Sequence, residues 1–165
     1  MINSIHFNIS IIIPIRNHRI PLARVLSSIN NQSLAPDEVV IVDSSTDNAV
    51  CELISNFESI FPILYHSEKN TYPGEARNIG VGLANCEWIA FLDSKTIPED
   101  DWLVKYQHLI QAYRADVIFG VTRFDAASPF QKALRAATYG NIGHQTVPGT
   151  LIKKKVFIDS GGFLE

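Results

Sequence analysis

Two cysteines in 165 residues are too few for a disulfide scaffold, and neither has a partner at metal-like spacing. Cys51 and Cys86 fall in apolar contexts and are expected as buried free thiols, which fits a reducing cytoplasm. No apolar run approaches the roughly 20 residues of a membrane-spanning helix. The first run, Ile9 to Ile15, contains Pro14 and meets Arg16 directly, so it is not a signal peptide. Any membrane association is therefore expected to be peripheral. Charged residues amount to 19%, the net charge is −3, and a clustered basic face is lacking. Nothing in this balance points to nucleic acid. The one basic run, Lys153-Lys154-Lys155, reads as a solvated helix turn. Also missing is a G-x-G-x-x-G fingerprint: the first strand is followed by Pro14-Ile15-Arg16-Asn17-His18, which argues against a dinucleotide-binding oxidoreductase.

Apolar residues, at 46%, indicate a globular chain of one domain. Short apolar runs alternate with longer amphipathic stretches, the pattern of βα units and a mainly parallel sheet with helices on both faces. Strands are expected at Ile9 to Ile15, Glu38 to Val42, Ile63 to Tyr65, Trp88 to Leu92, Val117 to Val121 and Thr150 to Ile152. One helix opens near Pro21, and a second is capped by Asp47. A third opens at Gly74, and a fourth starts at Pro98 with Glu99, Asp100 and Asp101 in its first turn. A fifth runs from Ser128-Pro129 to Ala137, and a short last one stops at Gly161-Gly162. Tyr139 to Pro148, rich in glycine and polar residues, reads as a loop.

Chemistry concentrates at the strand ends. Asp43 closes the second strand and Asp93 follows the fourth, while Arg77 sits on the helix between them. In a parallel sheet these three share the carboxyl edge, where ligands of open sheets bind. Two carboxylates and a guanidinium there suggest a pocket for a nucleotide diphosphate. Asp43 also reads as a turn residue, because Ser44, Ser45, Thr46 and Asp47 all favour turns. His144 stands out among the histidines only by its place in the polar loop.

Ile9-Ser10-Ile11-Ile12-Ile13-Pro14 with Asn17, Ile41-Val42-Asp43-Ser44-Ser45-Thr46-Asp47, Ala76-Arg77-Asn78-Ile79-Gly80, Ala90-Phe91-Leu92-Asp93-Ser94 and Ser160-Gly161-Gly162-Phe163 occur in this order. In that order they resemble the family 2 glycosyltransferases. The resemblance implies the GT-A fold and inverting transfer of a sugar from a nucleotide diphosphate, UDP foremost, to a glycan or lipid-linked acceptor. The setting it implies is polysaccharide or glycoconjugate synthesis in the cytoplasm, at the inner face of the cell membrane. A homo-oligomer is compatible with it.

The donor site that the resemblance implies comprises Pro14, Arg16, Asn17, Asp43, Arg77, Asp93, Ser94 and Lys95. Asp43 would accept a hydrogen bond from the base, with Ser44 where the family often has a second Asp. Arg16 stands where an aromatic commonly frames the base, and Asn17 tethers its loop. Arg77 reaches the nucleotide, and Thr146, Pro148, Gly149 and Thr150 lie on the acceptor side. Asp93 matches the first acid of an Asp-x-Asp motif that holds Mn2+ or Mg2+ across the donor phosphates. Lys95 replaces the second acid and cannot ligate a cation while protonated. That leaves three alternatives: Lys95 neutralises the diphosphate, Asp93 binds the metal alone, or turnover is lost. The family's catalytic base follows the Gly-Gly-Phe segment, and Glu165 matches the acid closing that motif rather than the base. Residues 1–165 are thus expected to be a donor-binding portion, truncated before its base.

Overall fold

The computed structural model describes residues 7–123, 125–138 and 144–164. Its elements run β1 (Ile9–Ile15), α1 (Arg19–Asn30), β2 (Glu38–Asp43), α2 (Ala49–Ser55), β3 (Ile63–Ser67) and α3 (Pro73–Leu83), then β4 (Trp88–Phe91), α4 (Trp102–Tyr113), β5 (Val117–Thr122), α5 (Pro129–Thr138), β6 (His144–Lys153) and α6 (Lys154–Asp159). One six-stranded sheet has the order β3-β2-β1-β4-β6-β5. The strands β1 to β4 pair in parallel, and β6 runs antiparallel to both β4 and β5.

Because side chains alternate across a strand, the mostly apolar run of β1 feeds two cores. Ile11 and Ile13 pack with Val39, Ile41 and Ala90 beneath Leu22, Val25 and Leu26 of α1 and Leu103 of α4. Ile12 joins Val40, Val42, Ile89 and Phe91 against Ala76 and Val81 of α3 and Phe157 of α6. Ser10 is the polar exception in β1: fully buried, its hydroxyl donates to Glu38 at 2.6 Å and accepts from the Cys86 N–H at 3.2 Å. Burial alone would raise the Glu38 pKa, but the bonds from Asn85 and Ser10, with Lys154 nearby, hold it below the usual value.

The β1 strand is the hinge of the topology. From it the chain winds outward through β2 and β3, then returns to place β4 on the other side. This reversal is the switch point at which open α/β sheets form their binding crevice. In register, Ile15 is level with Asp43, and Ile12 with Phe91. The turns after β1, β2 and β4 therefore surround one spot at the sheet's carboxyl edge.

Several expectations need correction. The fourth helix begins at Trp102, because the segment before it is tied to the end of α1: Gln32 Nε2 donates to the Glu99 carbonyl at 2.7 Å, and the Ser33 N–H donates to the Asp100 carbonyl at 2.8 Å. Glu99 and Asp101 pair instead with Lys105, at 2.7 and 2.8 Å. Asp47 does not cap α2; Asn48 holds that position, and the Asp47 carboxylate receives the Ala49 N–H. His144 to Pro148 are strand rather than loop, paired with β5, and Tyr139 to Gly143 lie outside the described residues. The lysine run is not simply solvated. Lys153 pairs with Asp116 at 2.7 Å and lies over the Trp88 ring, Lys154 donates to the Ala84 carbonyl, and Lys155 pairs with Asp159. Both cysteines are free, but only Cys86 is buried.

Helix α3 is pressed onto the sheet at Gly80, where an added Cβ would stand 2.4 Å from Ile12 Cγ2; at Gly82 it would meet nothing within 4 Å. Overpacking costs about 1–3 kcal/mol, more than the ~1 kcal/mol that alanine gains over glycine within a helix. Gly80→Ala is therefore expected to lower stability in urea unfolding, whereas Gly82→Ala raises it by up to about 1 kcal/mol. Equal effects of the two would show that α3 is not in close contact there.

Candidate functional site

A cleft of about 390 Å³ opens at the switch point. Pro14, Ile15, Arg16 and His18 line it from the end of β1, Ser44 from the end of β2, Thr71 to Pro73, Ala76 and Arg77 from the start of α3, and Asp93 to Thr96 from the end of β4.

Arg77 lies one turn ahead of Gly80, so the close approach of α3 carries its side chain inward. Its Nη2 donates to Asp93 Oδ1 at 2.6 Å and its Nη1 to the Pro73 carbonyl at 3.3 Å. Its Nε is buried without an acceptor. The guanidinium carbon lies 5.5 Å from the centre of the Phe163 ring, a cation–π distance. Phe163 is itself fixed by a reciprocal pair of bonds: Asn78 Nδ2 donates to its carbonyl and its N–H donates to Asn78 Oδ1, both at 2.9 Å. Gly162, at φ +70°, turns the chain into this clamp, and an added Cβ there would stand 2.7 Å from Asn78 Oδ1. The Gly-Gly-Phe segment thus supports the arginine from below.

Asp43 is 2% exposed and does not line the cleft. Its Oδ1 receives the Ser45 N–H at 2.9 Å and its Oδ2 the Tyr65 hydroxyl at 2.9 Å. Above it Ser44 faces the cleft and shares a 2.5 Å hydrogen bond with the hydroxyl of Thr71. Asn17, at φ +58°, receives the Thr46 N–H on its amide oxygen and gives its own N–H to Ser45, so it ties the two strand-end turns together. Arg16 and Lys95 are exposed at the cleft, and neither makes a hydrogen bond or ion pair among the described residues. His18, Thr71, Tyr72 and Thr96 join the lining without having been singled out in the sequence. Thr146, Pro148, Gly149 and Thr150 do not line it. Thr150 accepts the Gly120 N–H, and Tyr106 donates to the Gly149 carbonyl. The side chain of His144, and Glu165, lie outside the described residues.

The residues present fit a divalent cation poorly. Such an ion takes about six oxygen ligands. Asp93 is the one acid among the lining residues, and Arg77 already holds one of its oxygens. Among the described residues, no three His, Cys, Asp or Glu side chains converge.

The sequence pattern described as Glycosyl transferase family 2 matches residues 10–164. This chain belongs to that family. Among its relatives is the chondroitin synthase of Escherichia coli, 31% identical over 106 residues, which are 62% of this chain and 15% of that protein. The fold is that of the GT-A glycosyltransferases. S. aureus TarS 1–349 in complex with UDP superimposes with a TM-score of 0.73 at 19% identity, over 96% of this chain and 50% of that one. A Pyrobaculum calidifontis mannosyltransferase in complex with GDP-Man and Mn2+ gives 0.70 at 22% identity, over 95% and 47%. The chain spans less than half the length of the curated relatives it matches. Among the described residues no helix is long and apolar enough to cross a membrane.

The Tyr65–Asp43 bond that underlies this family 2 site has a pH signature. Burial, then the bond to Asp43 and its negative charge, push the Tyr65 hydroxyl from 10.0 to about 12. Folding thus favours the protonated phenol. That contribution is whole below pH 10 and is lost as pH rises through about 12. Between these values the urea midpoint of the native protein is expected to fall more steeply than that of Tyr65→Phe. Parallel curves would show that Asp43 does not hold Tyr65.

Proposed function

We propose that this chain forms the donor-binding part of an inverting glycosyltransferase that moves a sugar from a nucleotide diphosphate, UDP foremost, to an acceptor hydroxyl. The observation that carries the reading is the cleft at the switch point of a family 2 chain, where Arg16, Arg77 and Lys95 surround a single acid. A nucleotide diphosphate is an anion with an aromatic end, and the cleft divides in the same way. The base lies toward Ser44 and Thr71, with Asp43 beneath them as anchor of the Ser45 turn. Arg16 stacks on the base or grips a phosphate. Arg77 and Lys95 face the diphosphate, while Asp93, held by Arg77, and Ser94 stand at the ribose. Pro14 and Asn17 shape the turn that carries Arg16. The product is a polysaccharide or glycoconjugate, made on the cytoplasmic side.

Transfer needs a carboxylate to take the proton of the acceptor hydroxyl as that oxygen attacks the anomeric carbon. Among the described residues Asp93 is the one acid lining the cleft, and it is paired with Arg77. This favours a second reading, a nucleotide-binding module that does not turn over. Release of free sugar from a UDP-sugar, or its transfer to an acceptor, would exclude that second reading.

Calorimetric titration with UDP and GDP tests the donor site. Binding of UDP is expected, with affinity reduced roughly 10-fold or more in Arg16→Ala, the loss expected for one contact to a charged group. Arg16 is exposed and unpartnered among the described residues, so the fold is not at stake in that variant. Absence of binding by either nucleotide would contradict the assignment.

A further inference from the structure

We infer that the cleft holds the donor diphosphate without a divalent cation, Lys95 supplying the charge that the metal would bring. This rests on the donor-site reading above. The charge balance of the lining carries it. Among the described residues Arg16, Arg77 and Lys95 bring three cations to the cleft, and Asp93 is the only acid. The Arg77–Asp93 pair, at 2.6 Å, cancels internally. Arg16 and Lys95 remain uncommitted, so in a chain of net charge −3 the cleft carries a surplus of positive charge.

A second cation at Asp93 would gain one free carboxylate oxygen. It would meet the Arg77 guanidinium on the other oxygen and an ammonium two residues along. A hard ion with a demand for several oxygens is poorly served by such a set. A diphosphate is well served: a lysine ammonium is a compact point charge with three donors, suited to bridging phosphate oxygens. The turn that presents it is fixed, because the Thr96 N–H donates to the Asp93 carbonyl at 3.0 Å and Ser94 is buried beneath. Lys95 is exposed, so it is available without rearrangement of the core.

The test is titration of UDP and GDP into the whole chain in EDTA and again in Mn2+, with Lys95→Ala and Lys95→Asp alongside. Circular dichroism confirms that the variants fold. Native affinity is expected to agree within about 2-fold between the two buffers. Lys95→Ala is expected to weaken binding roughly 10- to 100-fold in EDTA, the range for a hydrogen bond to a charged group. Lys95→Asp, which restores Asp-x-Asp, is expected to bind only with Mn2+. Native binding that disappears in EDTA and returns with Mn2+ overturns the inference and leaves the donor site intact. So does Lys95→Ala binding as tightly as the native chain. Failure of both nucleotides in every buffer removes the donor site itself, and the inference with it.

Discussion

Helix α3 lies so close to β1 and β2 that residue 80 has no room for a side chain. Ile12 Cγ2 occupies the place of its Cβ, and Val42 Cγ2 stands 3.4 Å away. That contact fixes the height of the helix above the sheet, and the site depends on it. Arg77, three residues earlier, is brought level with the end of β4, where Asp93 meets it. Asn78, on the next position, reaches the Gly161-Gly162-Phe163 segment and holds it. A bulkier residue at 80 would lift all three together. The close packing of a protein interior leaves little slack to absorb such a shift.

From this contact the site follows as layers. Phe91, Phe157 and Phe163 form an aromatic cluster with centroids 5.4–5.5 Å apart on the α3 side of the sheet. The Arg77 guanidinium rests on Phe163 and is aimed by Asp93. Across the cleft, Asp43 anchors the β2 turn through Ser45 and Tyr65, and Asn17 links that turn to the end of β1. The walls are thus built from committed hydrogen bonds, while Arg16 and Lys95 are left free toward the cleft. With the walls preorganised, the ordering needed on binding a polyanion is confined to the Arg16 and Lys95 side chains.

Much of this was legible in the sequence. The apolar runs of β1, β2 and β4 gave buried strands, and their parallel order placed Asp43, Arg77 and Asp93 at one edge. What the sequence concealed was the identity of each partner. Tyr65 belongs to a short outer strand and gave no sign that it would take an oxygen of Asp43. Thr71 and His18 carry no local motif, and only the winding of the chain brings them to the cleft. Glu99 to Asp101 had the composition of a helix start, but the Glu99 and Asp100 carbonyls are drawn to Gln32 and Ser33, contacts distant in sequence, and the helix waits until Asp101 holds its N-cap position. The polar segment before Pro148 became a strand for the same reason: pairing with β5 outweighs local propensity.

The account stands on a nucleotide diphosphate occupying the cleft between the ends of β1 and β4. A crystal structure of the chain with UDP, grown in EDTA, tests this most directly. It should show the diphosphate within hydrogen-bond distance of Lys95 Nζ and the Arg77 guanidinium, with the base beside Ser44. UDP bound elsewhere on the surface, or a diphosphate turned away from Lys95, would contradict it.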